Sequence, residues 1–284
     1  MKYLTSLLLA LFLAASCGSS DDENQQDTPN LQAQTLMNVA YGGDPQQKMD
    51  VYLPANRTSQ TKVFILIHGG GWSGGSRSDM AFFIPGLKAV FPNHAIVNLE
   101  YRLGTAASPG FPKQIQDIEK AIDFLKAENY QISNQYGLIG ASAGAHLSML
   151  YGYDYDPDHE VKAICSLVGP TDFTDPNYLN HPLFQGGLTA LVGNFTFEQN
   201  PEIYAEVSPR THVSASSPAT IQFNGGLDPL IPVTQQSRLK ERLDSFNVYN
   251  EAYLYPTGGH GTFNAQDSAD FQARLVAFFQ NKFN

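Results

Sequence analysis

Residues 136–151 read YGLIGASAGAHLSMLY, so a serine stands between an apolar run and a helix-forming segment. The run YGLIGA predicts a short buried strand, and AGAHLSMLY predicts the helix after it. Gly-x-Ser-x-Gly between a strand and a helix is typical of a sharp, strained turn that exposes the serine hydroxyl. This context predicts Ser142 as a nucleophile at the end of a strand.

The Gly-x-Ser-x-Gly pattern occurs a second time, in GWSGG at residues 71–75. Its serine, Ser73, follows HGGGW and precedes Gly-Gly-Ser-Arg-Ser, a composition that does not begin a helix. We therefore favour Ser142 over Ser73 as the nucleophile. The stretch around Ser73 predicts a glycine-rich loop instead.

The HGGG loop that begins at His68 comes directly after the apolar run Val63–Ile67. Glycine backbone can approach a substrate closely and direct its N–H groups at an oxygen that develops negative charge. We predict an oxyanion hole made by the N–H groups of Gly70, Gly71 and Ala143. His68 is expected to anchor the loop rather than to transfer protons.

Short apolar runs alternate with amphipathic segments along most of the chain. This predicts an α/β fold with a mostly parallel sheet that helices cover on both faces. Strands are predicted at residues 48–53, 63–67, 95–99, 136–141, 161–168, 219–224 and 251–255. Helices are predicted at residues 79–91, 112–126, 142–151, 233–246 and 269–279. A Gly-x-Ser-x-Gly turn on such a sheet is the α/β-hydrolase arrangement, in which the acid and then the base follow the nucleophile along the chain.

Residues 169–217 interrupt this alternation, because they are rich in proline, asparagine and aromatic residues and predict only one short helix, near residues 187–191. A segment of that length inside a compact domain is usually functional, so we expect an insertion over the active site. Its aromatic side chains could line an acyl or sugar site, or could pack the insertion against the domain. They are Phe173, Tyr178, Phe184, Phe195, Phe197 and Tyr204.

The base must be chosen among seven histidines, at positions 68, 94, 146, 159, 181, 212 and 260. His260 lies in PTGGHG after the last predicted strand, which is where this fold places the base. Asp228 follows the strand before it and is favoured as the acid. Asp172 is the alternative, since some members of the fold place the acid one strand earlier, but it is also explained as a helix or turn cap. His146, one helical turn after Ser142, is expected to pack or cap locally.

The formal net charge of −10 argues against nucleic-acid binding, which needs clustered lysine and arginine. Cys165 is the one cysteine in the predicted domain and lies in an apolar run, so we expect a buried thiol and no disulfide. The predicted chemistry needs no metal ion and no cofactor.

The N-terminus has the pattern of a targeting segment. Residues 1–16 combine a basic residue, an apolar run and small residues, which predicts a signal peptide. Cys17 follows the small residues and resembles the lipobox cysteine of bacterial lipoproteins, which implies a lipidated thiol. Residues 17–34 predict a disordered acidic tether, and residues 35–284 the catalytic domain. We expect an exported lipoprotein at the outer membrane or cell surface of a Gram-negative-type bacterium, in contact with the membrane through Cys17.

Several runs together resemble one known family. LIHGGGWSGG, NLEYRL, FPKQIQDIEKAIDFL, GASAGAHL, SPATIQFNGGLDPLIP and PTGGHGTF occur in this order from about Lys48 to the C-terminus. They resemble the HGGGW acetyl-esterase and feruloyl-esterase branch of the α/β-hydrolase fold, which is related to the hormone-sensitive lipases. The resemblance implies Ser142, Asp228 and His260 as the catalytic triad, with the oxyanion donors predicted above. Ala141 and Ala145 depart from residues common in that branch, which leaves the subfamily open.

The resemblance implies a serine esterase that works through an acyl-enzyme and releases acetyl or feruloyl groups from carbohydrate esters. Two alternatives use the same scaffold. One is an amidase, peptidase or aryl-formamide hydrolase with the same triad. The other is a surface glycan-binding module without catalysis.

Overall fold

The computed structural model describes residues 31–181 and 185–284. The strands are β1 (Gln34–Ala40), β2 (Lys48–Leu53), β3 (Val63–Ile67), β4 (Ala95–Leu99), β5 (Tyr136–Ala141), β6 (Val161–Leu167), β7 (Ala219–Gly225) and β8 (Asn250–Tyr255). The α-helices are α1 (Phe83–Val90), α2 (Lys113–Ala127), α3 (Ala143–Asp154), α4 (Pro176–Leu179), α5 (Gln185–Val192), α6 (Pro201–Glu206), α7 (Thr234–Ser245) and α8 (Ala265–Lys282). The predicted signal peptide, Cys17 and Phe184 lie outside the described residues.

The strands form one sheet in the order β1-β2-β4-β3-β5-β6-β7-β8. Strand β2 is antiparallel to both of its neighbours, whereas all strands from β4 to β8 in this order are parallel. Because the carboxyl ends of parallel strands meet at one edge of a sheet, the loops after β3, β5, β7 and β8 come together there. The predicted α/β fold with a mostly parallel sheet is confirmed.

Helices cover both faces of the sheet. Ile118 of α2, Leu147 of α3 and Leu239 of α7 belong to one buried cluster, while Leu87 of α1 and Phe278 of α8 belong to the other. Strands β3 and β4 are buried along their whole length, which explains their continuous apolar sequences. Burial of each large apolar side chain stabilises the domain by about 1.5–3 kcal/mol.

Strand β1 was not among the predicted strands, because its residues are mostly exposed and show no apolar alternation. It lies at the edge of the sheet, where it pairs with β2 and shifts register between Leu36 and Val39. The predicted end of the disordered tether at residue 34 is wrong, because residues 31–34 belong to the domain. Gln34 begins β1, and the N–H of Asn56 donates to the carbonyl of Leu31 at 2.8 Å.

The helix predicted at residues 79–91 is shorter than expected. Residues Arg77–Met80 form a 3₁₀ turn, and α1 begins only at Phe83. Pro85 therefore falls in the first turn of α1. The N–H groups of that turn have no carbonyl partner within the helix, so a proline there costs no hydrogen bond.

The insertion contains three short α-helices and a 3₁₀ turn, Pro209–His212, among its described residues, not the single helix predicted. Helices α4 and α6 each begin with proline directly after a capping residue. The Asp175 side chain accepts from the N–H of Asn177 at 3.0 Å, and Asn200 accepts from that of Ile203 at 3.2 Å. Asp-Pro and Asn-Pro are start signals for helices, so this pattern could have revealed both.

Across residues 31–181 and 185–284, no helix combines the length and apolar character needed to cross a bilayer.

Candidate active site

Ser142 occupies a strained turn between β5 and α3. Its φ and ψ are 52° and −119°, a left-handed conformation that a residue with a side chain rarely adopts. Neighbouring backbone holds it there, since the N–H of Ser142 donates to Leu167 O of β6 at 2.8 Å. A Cβ on Gly140 would lie 2.3 Å from Gly144 O, and one on Gly144 would lie 2.1 Å from Ile67 O. Both glycines of the motif are therefore required by close packing around the turn.

His260 connects Ser142 to Asp228. Its Nε2 lies 2.9 Å from the Ser142 Oγ, and its Nδ1 lies 2.8 Å from the Asp228 Oδ2. Because the carboxylate accepts, Nδ1 carries the proton and Nε2 is free to accept from the serine hydroxyl. The His260 side chain is 23% exposed and the Asp228 side chain is buried, so the ring can be reached while its carboxylate is sheltered.

The loop after β7 fixes the Asp228 carboxylate. Its Oδ1 accepts from the N–H groups of Leu230 and Ile231 at 2.7 and 3.0 Å, which leaves Oδ2 for His260. A buried carboxylate needs such partners to offset its lost hydration. The arrangement holds the imidazole in one tautomer and one orientation.

Asp172, the alternative acid, has different partners. Its Oδ2 accepts from Arg238 Nη2 at 2.6 Å and lies 3.7 Å from Arg210 Nη1. Its Oδ1 accepts from the Thr174 hydroxyl at 2.6 Å. The structure therefore places Asp172 in an ion-pair cluster between the insertion and α7, and brings Asp228 to His260.

The predicted oxyanion donors lie at the start of α3 and in the glycine loop. Gly70 and Gly71 have φ values of +114° and +56°, and a Cβ on Gly70 would lie 2.1 Å from Gly74 O. Ala143 is the first residue of α3, a position whose N–H has no partner within a helix. In the described part of the chain, none of these three N–H groups donates to another residue. They are therefore unpaired among the described residues, and their role as oxyanion donors stays a prediction.

Ser73, the serine of the second motif, lies in the turn that closes this loop. The N–H groups of Ser73 and Gly74 both donate to Gly70 O, at 3.2 and 2.9 Å. Ser73 follows no strand end and opens no helix, so it lacks the setting of a nucleophile.

His68 fixes the orientation of the peptide that carries one proposed donor. Its Nδ1 donates to Gly69 O at 2.7 Å, and its ring stacks on Tyr101 with centroids 4.1 Å apart. The carbonyl of Gly69 and the N–H of Gly70 belong to one planar trans peptide, so fixing the carbonyl aims the N–H in the opposite direction. Glu100 lies 3.4 Å from the other ring nitrogen. Burial tends to raise the Glu100 pKa, but the neighbouring His68 ring and Arg77 outweigh it and the pKa is lowered.

His146 joins three parts of the site and does more than the local packing predicted for it. Its Nδ1 accepts from Trp72 Nε1 at 3.0 Å, and its Nε2 donates to Val207 O at 2.7 Å. The ring is fully buried and edge-on to Phe173, and burial lowers its pKa to about 4. A neutral imidazole therefore connects the HGGGW loop, helix α3 and the insertion. Sequence reasoning missed this link because its partners are distant along the chain.

Known proteins share both the sequence and the fold of this chain. The family model of BD-FAE matches residues 49–243. Esterase LipC of Mycobacterium tuberculosis is 29% identical over 262 residues, which cover 86% of this chain and 64% of LipC. Kynurenine formamidase of Danio rerio is 30% identical over 156 residues, which cover 53% of this chain and 52% of the formamidase.

A solved structure described as a truncated form of carbohydrate esterase from gut microbiota superposes with a TM-score of 0.70 at 24% identity. The match covers 88% of this chain and 98% of that one, and it shows the same α/β-hydrolase fold. The chain spans between half and two thirds of the length of the curated relatives named above. Because the family model extends over more than half of its residues, the chain belongs to the BD-FAE family.

Proposed function

We propose that this protein is a serine carboxylic-ester hydrolase that works through an acyl-enzyme. The observation that supports it best is the continuous chain of hydrogen bonds from Ser142 through His260 to Asp228. An imidazole that accepts from the hydroxyl of a strained, half-buried serine is the arrangement that nucleophilic attack on a carbonyl needs.

The reaction follows from this geometry. The Ser142 Oγ attacks the ester carbonyl carbon while its proton moves to His260 Nε2, and Asp228 stabilises the imidazolium that forms. The N–H groups of Gly70, Gly71 and Ala143 bind the oxyanion. The tetrahedral intermediate expels the alcohol, which takes the proton from His260. Water then attacks the acyl-enzyme by the same route in reverse and releases the acid.

We further propose a carbohydrate ester as the substrate, with an acetyl or feruloyl acyl group. The name of the matched gut carbohydrate esterase and the family resemblance of the motifs support this class. Attachment to the exterior of a cell through Cys17 would place the enzyme beside polysaccharides of the medium. We propose this location from the sequence of residues 1–34 alone.

Hydrolysis of an aryl formamide is a second candidate, and the match to kynurenine formamidase favours it. The same triad performs both reactions, because acyl transfer to serine needs the same base and oxyanion hole for an ester as for an amide. Parallel assays with p-nitrophenyl acetate, methyl ferulate, acetylated xylan and N-formylkynurenine distinguish the two.

The nucleophile is tested with matched variants of the two Gly-x-Ser-x-Gly serines. We expect Ser142→Ala to abolish labelling by a fluorophosphonate probe and to lower kcat for p-nitrophenyl acetate by about 10⁴-fold or more. Ser73→Ala should retain labelling and most of the activity. Undiminished labelling of the Ser142→Ala protein would exclude the proposed mechanism.

A further inference from the structure

Residues of the insertion line an open cavity of about 510 Å³ between α4, α5 and residues 194–198. This volume is in the range of binding sites for small ligands. Leu179, Leu188 and Tyr204 contribute the apolar part of the lining, and the triad residues Ser142, Asp228 and His260 do not line it. The cavity is therefore distinct from the candidate active site.

Helix α4 separates the cavity from the domain core. Pro176 and Asn180 are one helical turn apart and line the cavity. Tyr178 lies on the opposite side of the same turn, fully buried, with its ring 5.1 Å from that of Phe173. Tyr178 and Phe173 belong to the buried cluster of the domain, so this inner side of α4 packs against the core. The cavity lies on the other side of the helix.

The polar lining has the character of a site for a neutral, hydroxyl-rich ligand. Asn180, Asn194 and Thr196 line the cavity, together with one carboxylate, Glu198. An amide offers both donors and an acceptor, which matches the paired donor and acceptor character of a sugar hydroxyl. Among the described residues, no lysine, arginine or histidine lines the cavity, so it lacks the cations that bind a phosphate or a uronate.

Phe195 supplies an apolar platform at this cavity. Its side chain is 53% exposed, although large aromatic rings are usually buried. Its backbone is held in place, because the Tyr204 hydroxyl donates to Phe195 O at 2.8 Å and Phe197 packs edge-on against Tyr204 at 5.5 Å. The N–H of Thr196 donates to the Gln199 side chain at 3.1 Å. The exposed ring therefore lies on a fixed backbone next to the amides, and together they offer the apolar surface and the polar edge that a pyranose requires.

We infer that this cavity binds a neutral saccharide unit of the substrate at a distance from the bond that is cleaved. The choice of a saccharide deepens the proposed carbohydrate-esterase function and rests on it. Such a site would hold a polymer on the enzyme between successive reactions at Ser142, because a second contact raises the effective concentration of the ester groups.

Binding is measured in the full-length Ser142→Ala protein by isothermal titration with xylohexaose, so that catalysis does not enter the result. We expect Phe195→Ala in this background to weaken binding by roughly tenfold, from loss of the stacking surface. Phe82→Ala is the matched control, since Phe82 is also an exposed phenylalanine, at 65%, and lies in a different part of the fold. It should bind as the parent does. Thermal melting checks that both variants are folded.

An absence of xylohexaose binding to the Ser142→Ala protein would overturn the inference, and so would equal binding by the Phe195→Ala and Phe82→Ala variants. Equally tight binding of hexagalacturonate would overturn the preference for a neutral sugar. Retained binding in a protein that shows no Ser142-dependent hydrolysis would instead refute the proposed reaction and leave the site intact.

Discussion

At the scale of single residues, His146 links acidity to stability. Its pKa in the folded protein is about 4, below the ordinary 6.5, because burial disfavours the charged ring. The unfolded chain therefore binds a proton at a higher pH than the folded protein does, and acid favours unfolding. Above about pH 6.5 the ring is neutral in both states and has no such effect. We expect the free energy of unfolding to fall as the pH falls from 6.5 to 4, by about 3 kcal/mol in total.

Urea unfolding of wild type and His146→Gln at pH 7, 5.5 and 4.5 measures this effect. Glutamine offers an acceptor to Trp72 and a donor to Val207 but does not titrate. The free energy of unfolding of the His146→Gln protein should therefore fall less in acid than that of wild type. The other titratable groups are the same in both proteins, so the difference between their pH dependences of unfolding free energy measures the effect of position 146 alone. Parallel loss of stability in the two proteins would show that His146 is not the responsible group.

The residues differ in how far sequence could predict them. Ser142, Asp228 and His260 could be placed because chain order and the ends of strands restrict each role to one loop, and the structure brings the three together. The bond from Trp72 to His146 could not be predicted, because residues 74 positions apart meet only through tertiary packing. The ion pairs of Asp172 with Arg238 and Arg210 could not be predicted for the same reason, whereas its predicted capping of a turn is confirmed by the bond from the Thr174 N–H at 2.9 Å.

At the scale of elements, the insertion is attached to α7, the helix that follows the loop of the acid. Asp172 binds Arg238, Asp175 accepts from Thr234, and Gln235 donates to Asp172 O at 2.9 Å. Buried polar groups with several partners hold a segment in one position, provided that every partner is present. The insertion and the loop that positions Asp228 are thus supported by the same helix.

Asparagine variants of Asp172 and Asp228 distinguish a role in holding the insertion in place from a role in catalysis. Asp172→Asn should weaken the contacts with Arg238 and Arg210, cost about 1–3 kcal/mol and raise hydrogen exchange in α6. Asp228→Asn should leave that exchange unchanged and lower kcat by about 10³–10⁴-fold, because the imidazole loses its tautomer and its counter-charge. A larger loss of kcat for Asp172→Asn than for Asp228→Asn would reverse the assignment of the acid.

Elements with strong periodicity were predictable, and exposed or short ones were not. Strands β3 and β4 are buried on both faces, so their apolar runs mark them in the sequence. Strand β1 lies at an edge and has no such pattern. Helix α4 has only four residues, too few for a period to appear, although its Asp-Pro start is visible.

At the scale of the whole molecule, every component of the candidate site lies at the carboxyl edge of one sheet. Ile67, Ala141, Gly225 and Tyr255 end the strands that precede the glycine loop, the nucleophile, the acid and the base. The insertion follows β6 at the same edge. The parallel order of the strands thus accounts for the convergence of groups that are far apart in sequence.

The attachment of this domain to a membrane is a separate property, which the proposal assigns to Cys17 outside the described residues. The domain from Leu31 onward forms one compact unit, so loss of the anchor should not unfold it. We expect Cys17→Ala to shift the full-length protein from the membrane pellet to the supernatant on cell fractionation, with esterase activity per molecule unchanged, since acyl chains supply the membrane affinity. Cys165→Ala is the matched control, because Cys165 is buried in β6 and its thiol is inaccessible to lipid transfer. It should remain in the pellet, and retention of the Cys17→Ala protein there would refute the lipid anchor.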